Sequence, residues 1–227
     1  MKSLNDIRLA QLAGSLYLLL IPMGIFGIIY IPEFVQVAGD AAKTFANLTD
    51  HETAIRLSIL CAFAIQVIQL FLVVALYYLL RPYGAVAALF MLLFTLVSVP
   101  IAMLNELSNL AALLIVRSDG LSDLFSSEQI QTVALFLIQL HEQGIMIAHI
   151  FWGLWLIPMG YLVYRSSFLP KNIGVLLVIS GFGYCVDTLT FFAFATDEYL
   201  IAQYTFLGEV LLPIALLWQA FKARRLR

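Results

Sequence analysis

The stretch "HEQGIMIAHIFWGLWLIPMGYLVYRSSFLPKNIG", His141–Gly174, decides the fold. Between Gly144 and Tyr164 its one acidic or basic residue is His149. A helix that is apolar on every side belongs in a core or in lipid, and about 20 such residues suffice to cross a bilayer. The run ends at Arg165, and "SSFLPKNIG" then supplies serine, proline, lysine and glycine before the next apolar run starts. That punctuation marks a short turn between two antiparallel helices. His141, Glu142 and His149 stand out against this background, because ionisable groups inside a membrane must pair or face water.

The rest of the chain has the same character. Of 227 residues 63% are hydrophobic and 11% are charged, whereas a soluble domain is nearer half apolar and a quarter charged. The net charge of −2 and the absence of a basic patch interleaved with aromatics give nucleic acid no footprint. Cys61 and Cys185 lie in apolar runs without a second cysteine at metal spacing, so they read as inert thiols. The first apolar run, Leu9 to about Ile31, is too long for a signal-peptide core and reads as a retained first span. Asn47-Leu-Thr matches a glycosylation sequon, a pattern too short to carry weight.

The expected class is all-α: a polytopic membrane protein with six transmembrane helices in a single bundle. One domain covers 1–227, with spans near 9–31, 54–80, 85–116, 130–164, 172–196 and 199–221. Pro100 and Pro158 can kink the third and fourth. Lys2, Arg8, Arg81, Arg165, Lys171, Lys222, Arg224, Arg225 and Arg227 fall on one side, Lys43 and Arg117 on the other, and Arg56 at the start of a span. This bias puts both termini in the cytoplasm of a cell with the chain in its inner membrane. Tyr77, Tyr78, Tyr161, Tyr164 and Trp218 fit an aromatic belt on that side. Asp197, Glu198 and seven other acids populate the outer loops and read as a solvated face. "LIPMG" occurs at Leu20–Gly24 and again at Leu156–Gly160; an inverted repeat would produce this, but chance recurrence in so Leu-rich a chain is the reading we favour.

Counting along helices at 1.5 Å per residue sorts the buried polar residues by height. Arg56 and Glu106 lie 25 residues on either side of Arg81, roughly 37 Å up, with His141, Asn105 and Asn109 in the same layer. His149 and Asp187 lie 16 residues from Arg165 and Lys171, about 24 Å up, and Glu209 lies 13 from Lys222, about 20 Å up. The expected ligand-binding set is therefore Arg56, Glu106, His141, His149, Asp187 and Glu209, in the outer half of the bilayer. Each has a plain structural counterpart: Arg56 with Glu106 as a helix pin, and Asp187 with His149 as a helix–helix hydrogen bond. Glu209 has no evident cationic partner. Gln66, Gln69 and Gln139 read as interhelical glue, and Trp152 and Trp155 as packing. The glycine pairs Gly24/Gly27 and Gly181/Gly183 read as close-packing sites.

Three functions follow as expectations. The first is binding or transport of a small polar or anionic ligand or lipid, with Arg56 attracting it and His141, His149, Asp187 and Glu209 hydrogen-bonding or exchanging protons. The second is a metal-dependent intramembrane hydrolase in which His149, Asp187 and Glu209 converge with Glu142. The two histidines of "HEQGIMIAH" are eight apart, about 80° around a helix, so no local metal motif supports it. The third is a structural subunit whose polar pairs only assemble helices. Whether the chain is an enzyme, and with which cofactor, is unspecified by these residues; its partners are the lipid bilayer and, if it self-associates, a second copy of itself.

With those residues in view the chain resembles, over nearly its full length, the bacterial membrane family catalogued as domain of unknown function 4386. The resemblance is carried by "RLAQLAGSLYLL" at Arg8, "GDAAKTFANL" at Gly39, "RLSILC" at Arg56, "YYLLRP" at Tyr77 and "LHEQG" at Leu140. It continues in "FWGLWLIPMGYLVYRSSFLPKNIGVLLVISGFGYCVD", Phe151–Asp187, and "LGEVLLPIALLW" at Leu207. It implies an integral membrane protein and no particular activity. Arg56, His141, Asp187 and Glu209 fall within the family-like stretches.

Overall fold

A computed structural model describes residues 3–37, 39–121, 123–194 and 200–226. Lys2, Arg227, Asp197, Glu198 and the junction between the last two expected spans lie outside the described residues. The fold is all-α, 90% helical, and six helices are long and apolar enough to cross a membrane. Helix α1 spans Leu4–Val35, α2 Ala41–Asp50, α3 Glu52–Leu80, α4 Ala85–Val116, α5 Ser127–Arg165 and α6 Lys171–Phe194. A four-residue α7, Ala202–Thr205, precedes α8, Leu207–Arg225, and the two together make the sixth crossing.

Several departures from regular helix have local causes. Pro22 has no N–H to give the preceding turn, and a π-helical segment follows at Ile25–Tyr30. Pro100 and Pro158 sit inside α4 and α5 without ending them. The connection after α1 holds an unexpected helix, α2, whose start follows from its residues. Asp40 accepts the Lys43 N–H at 2.8 Å as an N-cap, and Thr44 and Leu48, one turn apart, are fully buried. Asn47 donates to the Val35 carbonyl at 3.0 Å, so the apparent sequon residue ties α2 to the end of α1.

The chain forms two compact units. The first is Met1–Ile21, Val67–Pro100 and Met146–Arg227; the second is Pro22–Gln66 and Ile101–Ile145. The core of the first includes Ile7, Leu76, Met91, Leu156, Leu177 and Leu212, each shut off from the surface. That of the second centres on Ile31, Leu48, Ile55, Leu113 and Ala134. Both wear large apolar side chains outside: Phe71 is 65% exposed in the first and Leu104 64% in the second, as lipid-facing surfaces require.

Within the first unit α5 and α6 approach through glycine. A Cβ placed on Gly153 would stand 2.5 Å from the Gly181 carbonyl oxygen, and one on Gly160 would stand 2.5 Å from that of Gly174. Both pairs are seven residues apart on their helices, one face of each. Small residues let transmembrane backbones close up where burial from water gives no drive. Gly181 was one of the expected close-packing positions. Gly24 has open space around it while Gly160 is packed on backbone, so the two copies of "LIPMG" do different work.

Candidate functional site

The six candidate residues divide between the units, three in each. In the second unit the expected Arg56–Glu106 pair does not form. Arg56 reaches one turn back to Glu52, Nε to Oε1 2.5 Å, and Arg117 takes the same carboxylate with Nε and Nη2 at 2.9 and 2.7 Å. The reason is local: an i,i+4 acid on the same helix competes successfully with a partner on another. Both arginines keep substantial exposure, and such pairs contribute roughly 0–1 kcal/mol.

Glu106 turns instead to His141. Its Oε1 is 3.0 Å from His141 Nε2, its Oε2 accepts from Asn109 at 3.0 Å, and both residues are buried. Asn105 donates to the His141 carbonyl at 2.8 Å, and its amide lies so close over Gly144 that a Cβ there would overlap it. "LHEQG" thus presents a histidine and a glycine to consecutive residues of α4. Glu142 of the same motif is exposed.

In the first unit Asp187 does not bond His149. Its carboxylate accepts the backbone N–H groups of Ile201 at 2.7 Å and Ala202 at 2.8 Å. These donors open α7, where no residue of the helix itself can satisfy them, so a buried acid on α6 acts as their cap. Ser180, seven residues earlier on the same face, donates to the Thr205 carbonyl at the other end of α7 at 2.5 Å. Between them, Gly183 leaves room for the Thr205 hydroxyl. The face Ser180–Gly183–Asp187 is a cradle for one turn of helix, and Thr188 anchors α6 to the Met146 carbonyl at 3.1 Å.

The break after α7 places Glu209 in the first turn of α8, where the helix dipole favours a carboxylate. Glu209 Oε2 accepts from the Tyr17 hydroxyl of α1 at 3.2 Å. The Tyr184 side chain of α6 interacts with the same carboxyl, while Oε1 is buried and has no well-formed hydrogen bond among the described residues. His149 packs on Tyr184 edge to face, ring centroids 5.1 Å apart, and on Trp152 at 5.0 Å. Tyr17 continues the row to Trp155 at 6.0 Å. His149 Nδ1 and Trp152 Nε1 are also buried and unpartnered. Four helices therefore contribute to one row of aromatic rings around a carboxyl, in which three buried polar atoms have no hydrogen-bond partner among the described residues.

Trp152, Tyr184 and Glu209 share a height that the sequence encodes. Each lies 13 residues from the cation at its helix end: Arg165, Lys171 and Lys222. At 1.5 Å per residue that is about 20 Å from the helix-end cations. Tyr17 and Tyr184 were not among the sequence candidates, although a tyrosine that far from an interface is itself a signal. Trp152 was read only as packing.

The three residues of the hydrolase reading do not converge. Asp187 is spent on backbone, and among the described residues no three His, Cys, Asp or Glu side chains are grouped to hold a metal ion.

The profile of the family described as Domain of unknown function (DUF4386) matches residues 12–220. A protein of Archaeoglobus fulgidus described only as "Uncharacterized protein" is 31% identical over 171 residues, 74% of this chain and 85% of its own length. No solved structure matches. The matched region includes the whole aromatic row and both polar sets, and the chain belongs to the family of domain of unknown function 4386.

Proposed function

We propose that the chain is a membrane binding or transport protein whose ligand sits on the Glu209 row of the first unit. The observation that carries this is the group of three buried, unpartnered polar atoms: Glu209 Oε1, His149 Nδ1 and Trp152 Nε1. A buried polar group left unsatisfied costs about 1–3 kcal/mol, and three on one row of touching side chains amount to a site prepared for something else. Glu209 has no cationic partner among the described residues, and tryptophan, tyrosine and histidine rings line its surroundings. A carboxyl flanked by aromatic faces suits a small solute that donates hydrogen bonds, an amine above all, through charge pairing and cation–π contact. This replaces Arg56 as the ligand's recognition point, since Arg56 is engaged with Glu52.

Arg56, Glu106, His141 and Asp187 take structural roles in this account. Both oxygens of Glu106 and both of Asp187 are occupied by protein groups, which supports that reading. The cell membrane as location and cytoplasmic termini rest on the distribution of Lys and Arg, nine against two.

The test is mass-spectrometric and elemental analysis of gently purified protein, for small molecules, lipids and metals, on wild type and on Glu209→Gln and Glu106→Gln. Wild type and Glu106→Gln are expected to retain the same small amine- or hydroxyl-bearing solute, and folded Glu209→Gln to lose it. A stoichiometric metal, or a solute retained equally by Glu209→Gln, would contradict the proposal.

A further inference from the structure

Two turns lie at the opposite end of the first unit's helices from α7. The turn after α3, Arg81–Tyr83, and the turn after α5, Ser166–Pro170, dock on each other. The Tyr83 and Phe168 rings are 6.0 Å apart, and Gly84 is seated so that a Cβ would touch Leu162 at 3.1 Å and Tyr161 at 3.6 Å. Around these turns stand three exposed cations, each laid on a tyrosine of its neighbourhood. The Arg81 guanidinium is 5.8 Å from the Tyr77 ring centroid, that of Arg165 5.7 Å from Tyr161, and the Lys171 ammonium 5.4 Å from Tyr164. Arg165 also donates to the Tyr161 hydroxyl at 2.9 Å.

No described carboxylate pairs with any of the three. The segments that carry them, Val67–Pro100 and Met146–Val186, contain no Asp or Glu at all. Cations usually gather acids around them; here they are kept bare and held against rings, at the level where aromatic side chains meet lipid headgroups. The gap in the charge balance is anionic, and the surrounding surface is apolar: Tyr161 and Tyr164 are themselves about half exposed.

We infer that Arg81, Arg165 and Lys171 on the docked turns form a binding site for the phosphate headgroup of an anionic phospholipid, with the exposed faces of Tyr161 and Tyr164 against its glycerol and upper acyl carbons. Bare arginines supply forked donors to phosphate oxygens, and lysine supplies a point charge beside them. The docking of the two turns brings together the segments that carry the cations, and each cation is held on its own tyrosine, which separates a site from the general positive charge of that end.

Native mass spectrometry of the full-length chain in neutral detergent, titrated with phosphatidylglycerol and with phosphatidylcholine of equal chain length, tests the inference. Selective binding of phosphatidylglycerol is expected, weakened roughly fivefold for each cation removed in Arg81→Gln, Lys171→Gln and the triple variant with Arg165→Gln. Arg224→Gln/Arg225→Gln should bind as wild type does. Among the described residues the side chains of Arg81 and Lys171 make no hydrogen bond or ion pair, only contacts with the Tyr77 and Tyr164 rings, so those two single variants keep the test open should the triple variant misfold. Equal binding of both lipids would overturn the site, as would equal losses in the Arg224/Arg225 variant, which would show diffuse attraction only. Displacement of the lipid by millimolar inorganic phosphate would show a free-anion site and overturn the lipid assignment.

Discussion

At the residue scale, the identity of the unusual side chains was legible and their partners were not. Glu209, His149 and Asp187 announce themselves because an acid or imidazole in an apolar run must be answered by something. What answers Asp187 is backbone, the N–H groups of Ile201 and Ala202, and composition holds no trace of which backbone will be left open by a broken helix. Asp187→Ala is expected to cost about 2–4 kcal/mol in an unfolding titration, since two helix-opening donors lose their acceptor together. Combined with His149→Ala it should be additive to within about 0.5 kcal/mol, because the two share no bond; a larger coupling would restore the pairing read from helix counting. Tyr17→Phe removes a hydrogen-bond donor to Glu209, and about 1–2 kcal/mol should be lost by the same measurement. No loss would mean that Glu209 is already satisfied elsewhere.

At the element scale, the crossings could be read closely because hydrophobic length is a local property. The third span was expected at 85–116 and is α4, Ala85–Val116, while the sixth is two helices in place of one. The break at Phe206 has no proline or glycine before it; it is held from outside by Ser180 and Asp187, which is why local sequence did not show it. The α5–α6 pairing rests on glycines at positions 153, 160, 174 and 181, of which only Gly181 was an expected close-packing position, although their seven-residue spacing is present in the sequence. Gly153→Ala or Gly160→Ala should cost about 1–3 kcal/mol, because a backbone carbonyl cannot step aside. Gly24→Ala, in open space, should be tolerated in the same thermal melts. Across α4 and α5, a double-mutant cycle on Glu106→Ala and His141→Ala should show coupling above about 0.5 kcal/mol, whereas Arg56→Ala with Glu106→Ala should be additive. The opposite pattern would reinstate the Arg56–Glu106 pin.

At the scale of the whole molecule, six crossings would put both termini on one side, and the bias of lysines and arginines predicts that side to be the cytoplasm. Reporter fusions at the N- and C-termini should be active only as cytoplasmic reporters, while one inserted after Ser118 should report the opposite side; a C-terminus on the far side would break the six-span topology. The division of labour follows the two units: the second pairs Glu106 with His141 and Asn109 and leaves Gln66 Oε1 unpartnered, whereas the first leaves three atoms without partners among the described residues, all on the Glu209 row. The Glu209 row, with three such atoms on touching side chains, is where we propose that a ligand completes the molecule. The most direct measurement is an experimental density map of the wild-type chain, purified without stripping and resolved well enough to show bound small molecules. Density for a solute within hydrogen-bond distance of Glu209 Oε1, His149 Nδ1 and Trp152 Nε1 is the predicted result. Protein groups turned inward to satisfy all three atoms, with no solute between them, would contradict the account.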